Sequence, residues 1–282
     1  MTVERVALVQ FDPTLGPADD GTLERLCDRV RSVGGTADLI VFPELATTGY
    51  SIFDQIEACA ESIPGPTTRA IGAAAAEAEV HVLVGMAVRA DDSGDDVTNS
   101  AVWIDRTGTV RARYDKYQPW GDERSAFGSG DRPLVVSCEG WTFGLQICYD
   151  LNFPEVSAAF ARAGVDAVVN VSAWSAPMAG DWDRLLPARA IENGAYVLGC
   201  NRAGTEGDLE FYGRSTAYDP DGSVLDRLGA DEDVLSAHLS KAALSRERER
   251  NPMRRDRRPE SPSARRVAIT PDDSTPPPGN RR

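Results

Sequence analysis

The residues that most limit the fold are Leu39–Phe42, a run with no polar member, and its near counterpart Ala167–Val171, which has one. A strand of alternating pattern can leave one face in water, whereas a strand apolar at nearly every position must be covered on both faces. Segments of helical spacing surround both runs and supply that cover. In the first half, Val3–Phe11 reads as an apolar-rich strand, Asp19–Val33 as a helix behind an acidic start, Thr67–Ala78 as an Ala-rich helix and Val80–Arg89 as a strand. Asn99–Asp105 and Thr109–Asp115 read as a hairpin around Arg106-Thr107-Gly108.

The second half repeats the plan. Trp141–Cys148 is a strand, Pro154–Ala163 a helix, Trp182–Asn193 a helix and Ala195–Asn201 a strand, followed by Ser215–Asp219 and Ser223–Arg227 as a hairpin around Pro220-Asp221-Gly222. Two similar halves, each a sheet with helices on one side, predict an α/β fold in which sheet packs on sheet with helices outside: a four-layer α-β-β-α sandwich. With 282 residues, 41% of them hydrophobic, the chain can bury such a core, and residues 1–260 are read as one domain. After Lys241 the text turns to RERERNPMRRDRRPESPSARR, charged and poor in core residues, and is read as a solvated or subunit-contacting tail; residues 261–282 are expected to be disordered.

MTVERVALVQF runs directly into DPTLGPADDG, so no signal peptide and no membrane span is read, and a cytoplasmic location follows. The formal charge of −14 repels nucleic acid and anionic membranes. Lys116 and Lys241 are the only lysines. An acidic, lysine-poor surface fits salt adaptation or a compositional bias of the genome, and the dependence of activity on molar salt separates the two. Five cysteines, unpaired in pattern and without zinc-type spacing, fit a reducing compartment and leave a free thiol for chemistry.

Cys148 is the candidate nucleophile. It ends WTFGLQIC, where Phe143, Leu145 and Ile147 alternate onto one face, and a helix opens soon after at Pro154. Such an elbow presents a side chain at the carboxyl end of a strand, where α/β sheets place ligands. Cys27, Cys59, Cys138 and Cys200 read instead as small buried hydrophobes. A nucleophilic thiol needs a base or a nearby cation. Histidine does not offer one: His81 sits within a strand and His238 late in the last strand-like stretch, and both read as structural. The proton therefore goes to a carboxylate. Glu44 follows Leu39–Phe42 and a proline, again at a strand's carboxyl end; a carboxylate held partly out of water can act as base and then acid near neutrality. Lys116, in a chain that otherwise writes its positive charge as arginine, offers a compact ammonium for an oxyanion or a thiolate.

Around these residues the chain resembles the nitrilase superfamily, whose hallmark is a Glu-Lys-Cys triad on an α-β-β-α sandwich. VFPELATTGY surrounds Glu44, YDKYQPWGDERSAFGSGD surrounds Lys116 and GLQICYDLNFPE surrounds Cys148, in the family's order and spacing. LLPARAIENGAYVLGCNRAG, YGRSTAYDPDGSVL and DRRPE carry the likeness to about Glu260. The resemblance implies that Cys148 attacks the substrate carbonyl, Glu44 moves the protons, Lys116 and the backbone N–H of Tyr149 stabilise the oxyanion, and Glu123 positions Lys116. Arg189 and Glu192 look structural. Asn152 stands where close relatives often have arginine, and SAWSA around Trp174 replaces the Asn-Trp-Pro of many members, so the pocket wall differs.

CYD at the elbow is more similar to the amidase branches, ω-amidase-like enzymes included, than to nitrilases. The implied activity is hydrolysis of a small linear carboxamide to acid and ammonia through a cysteine thioester, with no metal or organic cofactor. Nitrile or N-carbamoyl hydrolysis, and a catalytically silent binding protein, are the alternatives. Tyr50, Tyr149, Trp174 and Trp182 are candidate lining residues. The resemblance also implies a homodimer or larger assembly.

Overall fold

A computed structural model describes residues 3–18, 20–89 and 97–258 of the chain. The first half contains β1 (Arg5–Gln10), α1 (Asp20–Gly34), β2 (Leu39–Val41), α2 (Ile56–Cys59), α3 (Pro66–Glu77), β3 (His81–Arg89), β4 (Val97–Ile104) and β5 (Val110–Asp115). The second contains α4 (Glu123–Ala126), β6 (Leu134–Cys138), β7 (Trp141–Ile147), α5 (Pro154–Ala163), β8 (Ala167–Ser172), α6 (Ala179–Asn193) and β9 (Tyr196–Asn201). It continues with β10 (Thr205–Glu206), β11 (Leu209–Glu210), β12 (Thr216–Tyr218), β13 (Val224–Arg227), β14 (Asp233–His238), α7 (Lys241–Arg250) and α8 (Met253–Asp256).

Two six-stranded sheets form, ordered β14-β1-β2-β3-β4-β5 and β13-β12-β9-β8-β7-β6. In each, three adjacent strands are parallel (β1-β2-β3 and β7-β8-β9) and their flanking partners antiparallel. Read from β6 to β13, the second sheet repeats the pairing series of the first from β14 to β5, as two similar halves of sequence require.

Side-chain alternation on the strands builds the layers. On β1, Val6 and Leu8 enter the core between the sheets, while Ala7 and Val9 face α1 and α3 through Leu26, Val30, Ile71 and Ala74. Phe143, Leu145 and Ile147 of β7 fill the inter-sheet core, as their spacing predicts. On the far face, Val168 and Val197 pack with Phe160 of α5 and with Trp182 and Leu186 of α6. The order is helix, sheet, sheet, helix. No described helix is long and apolar enough to cross a membrane.

Several element ends shift by one or two residues from the sequence reading, and three features depart from it in a way that matters for the fold. The strand expected to include Cys148 stops at Ile147, and Cys148 opens a 3-10 turn with φ of 47°. Helix α6 begins at Ala179, ahead of Trp182. The arginine-rich text after Lys241 is not simply a solvated tail, because α7 inserts Leu244 into the inter-sheet core. Arg248 donates to Asp166 Oδ1 (3.1 Å), Gly194 O (2.9 Å) and Val165 O (2.7 Å), and Arg257 to Glu192 O (3.0 Å). These arginines satisfy carbonyls where α5 and α6 end, a local role that a charge run does not advertise. The expected disorder of 261–282 lies outside the described residues.

Candidate active site

Glu44 and Lys116 come from the first sheet and Cys148 from the second, so the site lies where the carboxyl ends of both sheets meet. Beyond β2, Phe42 N–H still pairs with Leu83 O (2.8 Å), and Gly85 N–H pairs with Pro43 O (3.2 Å). This close approach requires a glycine: a Cβ on Gly85 would lie 2.4 Å from Pro43 O and 2.6 Å from Glu44 Cα. Leu45 then turns with φ of 48°, which points Glu44 inward. Beyond β5, Lys116 N–H pairs with Asn99 O (2.8 Å), so the hairpin register sets the position of the lysine.

The three groups expected from Glu44, Lys116 and Glu123 meet. Lys116 Nζ donates to Glu44 Oε1 (2.7 Å) and Glu123 Oε1 (2.8 Å), with all three side chains at most 1% exposed. Asn99 Nδ2 donates to Glu44 Oε1 (2.6 Å) and Ala173 N–H to Glu44 Oε2 (2.7 Å). Tyr50 OH donates to Glu123 Oε1 (2.6 Å), and Trp120 N–H to Glu123 Oε2 (3.1 Å). Burial alone would depress Lys116, but the two carboxylates outweigh it and hold the ammonium above the ordinary lysine value. Burial raises Glu123, with Lys116 pulling the other way. Burial also raises the Tyr50 hydroxyl, and the neighbouring carboxylates add to the shift.

Cys148 packs beside this cluster. Burial pushes its thiol well above the usual range, the charge of Glu44 and a hydrogen bond to it push the same way, and Lys116 opposes them. This direction favours the thiol over the thiolate, so the sulfur calls for a base beside it. Its left-handed backbone is uncommon for a non-glycine residue and holds about 1–3 kcal/mol of strain, which surrounding bonds must restrain.

Asp150 supplies that restraint. Its fully buried carboxyl accepts from Ile147 N–H (2.9 Å), Tyr114 OH (2.7 Å) and Gln118 N–H (2.8 Å), joining the elbow to β5 and to the loop after Lys116. Burial moves it up to about 6, against the pull of these donors. Behind the elbow, Arg189 donates to Leu151 O (3.0 and 2.8 Å) and to Glu192 Oε1 (2.8 Å), a structural role for both residues.

Cys148, Tyr50, Tyr149 and Trp174 line one cleft, with Trp120, Met178 and Leu209. Trp182 does not. It is fully buried beneath Trp174, at 5.6 Å between ring centroids, and donates Nε1–H to Arg214 O (3.1 Å). The hairpin that brings Leu209 is pinned by buried Arg202, which pairs with Glu206 and with Asp12 (2.8 Å) and lies 3.9 Å from the Phe211 ring centroid. Glu206 in turn accepts from Tyr50 N–H (2.9 Å) and Ser51 N–H (2.8 Å).

His81 lies between Glu139 Oε1 (3.3 Å) and Arg106 Nε (3.2 Å), and His238 is exposed on β14; neither lines the cleft. Among the described residues, no group of three or more His, Cys, Asp or Glu is arranged to hold a metal ion. The sequence reading missed Asn99, Asp150 and the Ala173 N–H. A polar Thr98-Asn99-Ser100 inside an otherwise apolar strand, and an acid two residues after the elbow cysteine, were the available signals.

An acid and an ammonium buried together beside a strained strand-end thiol are equipped for nucleophilic catalysis. The chain belongs to the carbon–nitrogen hydrolase family, whose profile, described as Carbon-nitrogen hydrolase, matches residues 5–248. It is 32% identical to a 2-oxoglutaramate amidase of Paenarthrobacter nicotinovorans over 89% of this chain and 87% of that protein. A CN-hydrolase superfamily protein from Xanthomonas campestris, solved with an arsenic adduct in its active site, matches with a TM-score of 0.83 and 29% identity, covering 93% of this chain and 100% of that one. A variant of the amidase of Nesterenkonia sp. AN1, carrying the acetamide moiety of fluoroacetamide on its active-site cysteine, matches with a TM-score of 0.76 and 28% identity, covering 90% and 97%.

Proposed function

We propose that the protein hydrolyses a small linear carboxamide to a carboxylic acid and ammonia, with Cys148 as nucleophile. The observation that carries this reading is the buried Glu44–Lys116–Glu123 cluster beside the Cys148 thiol, which lines the cleft. Glu44 takes the thiol proton as sulfur bonds to the carbonyl carbon. Lysine has three N–H donors, and two of those on Lys116 are engaged by carboxylates. The third, with the backbone N–H of Tyr149, receives the oxyanion. Glu44 returns its proton to the departing nitrogen, the C–N bond breaks and a thioester remains. Water then loses a proton to Glu44, attacks the thioester carbon and releases the acid, and the proton returns to sulfur. Glu123 positions Lys116 and keeps it charged.

The amidase names among the relatives support an amide substrate over nitrile or carbamoyl chemistry, and the acetamide adduct on the cysteine of the Nesterenkonia enzyme supports a nucleophilic sulfur at the matching position. The test is a panel of amides, nitriles and N-carbamoyl compounds read by ammonia release, with carbon dioxide measured alongside. Ammonia from amides without carbon dioxide is expected; turnover confined to nitriles or to carbamoyl compounds overturns the reading. Silence across the whole panel favours a binding protein. A homodimer or larger assembly belongs to the same proposal, and a monomeric mass in light scattering contradicts it.

A further inference from the structure

The cleft has an unusual charge balance for a site that would bind an acid. Among the described residues that line it none is charged, and its largely apolar walls are Ala173, Trp174, Met178, Leu209 and Trp120. Much of its polar capacity is already committed. Tyr50 OH donates to Glu123 (2.6 Å) and Trp174 Nε1–H to Met178 O (2.8 Å), which leaves, among the side chains that line it, the hydroxyls of Ser175 and Tyr149 and the indole N–H of Trp120. Three neutral donors, none of them a cation, solvate a carboxylate poorly once its water is stripped away.

The charges immediately behind the cleft make this worse for an anion. Glu44 and Glu123 against Lys116 sum to −1 with both carboxylates ionised, or to zero with Glu123 protonated. Neither state is net positive. The buried arginines that approach this end of the fold are neutralised locally: Arg202 by Glu206 and Asp12, Arg189 by Glu192 and Leu151 O. At long range, a chain of formal charge −14 repels an approaching anion as well.

We infer that the site takes amides with an uncharged, apolar acyl chain and rejects monoamides of dicarboxylic acids. This rests on the amidase reading above and narrows its substrate class. Trp174, Met178 and Leu209 bury an alkyl chain favourably, whereas a terminal carboxylate in the same place loses its hydration and faces the Glu44 and Glu123 side of the site.

The experiment compares acyl chains of matched size on the full-length enzyme: 4-methylpentanamide, succinamate, and the methyl ester of succinamate, each read by ammonia release. The ester keeps the chain and caps the charge, so size and charge separate. We expect kcat/KM for the two neutral amides to exceed that for succinamate by roughly 100-fold or more, the scale of placing like charges together in a desolvated site. Succinamate turned over as well as the neutral pair overturns the inference while leaving the amidase reading intact. Succinamate and ester equally poor, with 4-methylpentanamide good, also overturns it, because charge would then not be the discriminant. If none of the three releases ammonia while other amides do, acyl selection by an apolar wall is wrong. If no amide of any kind releases ammonia, it is the amidase reading that has failed.

Discussion

Replacing Lys116 with methionine removes the cation that lies between two buried carboxylates. Its ammonium is 2.7 Å from Glu44 and 2.8 Å from Glu123, with all three side chains out of solvent. Methionine keeps most of the volume, so the loss is chiefly electrostatic, and breaking a buried ion pair from one side costs about 3–5 kcal/mol. At about 2–4 °C per kcal/mol for chains of about 150–250 residues, and the lower slope for a longer one, the melting point should fall by roughly 6–10 °C.

The loss should also depend on pH in a definite direction. Without Lys116 the two carboxyls face each other, and their folded pKa values rise above the unfolded value of about 4.3. A group raised in this way adds stability that is present below its unfolded pKa and is lost as pH rises through its folded one. The variant should therefore approach wild type near about pH 5 and fall furthest behind it near about pH 8. Urea unfolding at both pH values measures this. Lys241→Met, in the only other lysine, is the internal control: its pair with Asp166 (2.7 Å) leaves the Lys241 side chain 47% exposed. That pair should contribute about 1 kcal/mol or less. Equal losses at both pH values, or a Lys116 loss no larger than that at Lys241, would contradict the buried charge cluster.

Two other perturbations test the geometry around it. Gly85→Ala places a methyl group against the backbone of Pro43 and Glu44; overpacking of this kind costs about 1–3 kcal/mol, and the displaced Glu44 should lower kcat far more than KM, so unchanged steady-state kinetics in a folded variant would refute the close approach. Alkylation of Cys148 by iodoacetamide, followed on its own peptide by mass spectrometry, should keep accelerating above pH 9 because burial and Glu44 hold the thiol well above that value; a plateau below about pH 7 would mean a preformed thiolate.

The sheets were legible because a strand buried on both faces cannot hide its composition, and hairpins declare themselves through Arg106-Thr107-Gly108 and Pro220-Asp221-Gly222. The meeting of Glu44, Lys116, Glu123 and Cys148 could be expected only from three motifs taken together. No periodicity relates positions 44, 116 and 148 in space. Where β7 stops was not readable, because the left-handed turn at Cys148 is a backbone property that the pattern WTFGLQIC continues straight through. Trp182 and Trp174 differ by one helical approach to the sheet: the first is pressed under the second, and a single sequence does not say which aromatic faces the cleft. Helix α7 was obscured for the opposite reason, since one leucine, Leu244, does its packing within a run of charges.

Rapid quenching of the enzyme during turnover of a neutral amide, with mass analysis of the Cys148 peptide, asks most directly whether that sulfur forms the bond. A mass gain equal to the amide minus ammonia, found on Cys148 alone and lost in Cys148→Ala together with all ammonia release, is the expected result. Steady turnover by a correctly folded Cys148→Ala, or an acyl group carried on any other residue, would contradict it.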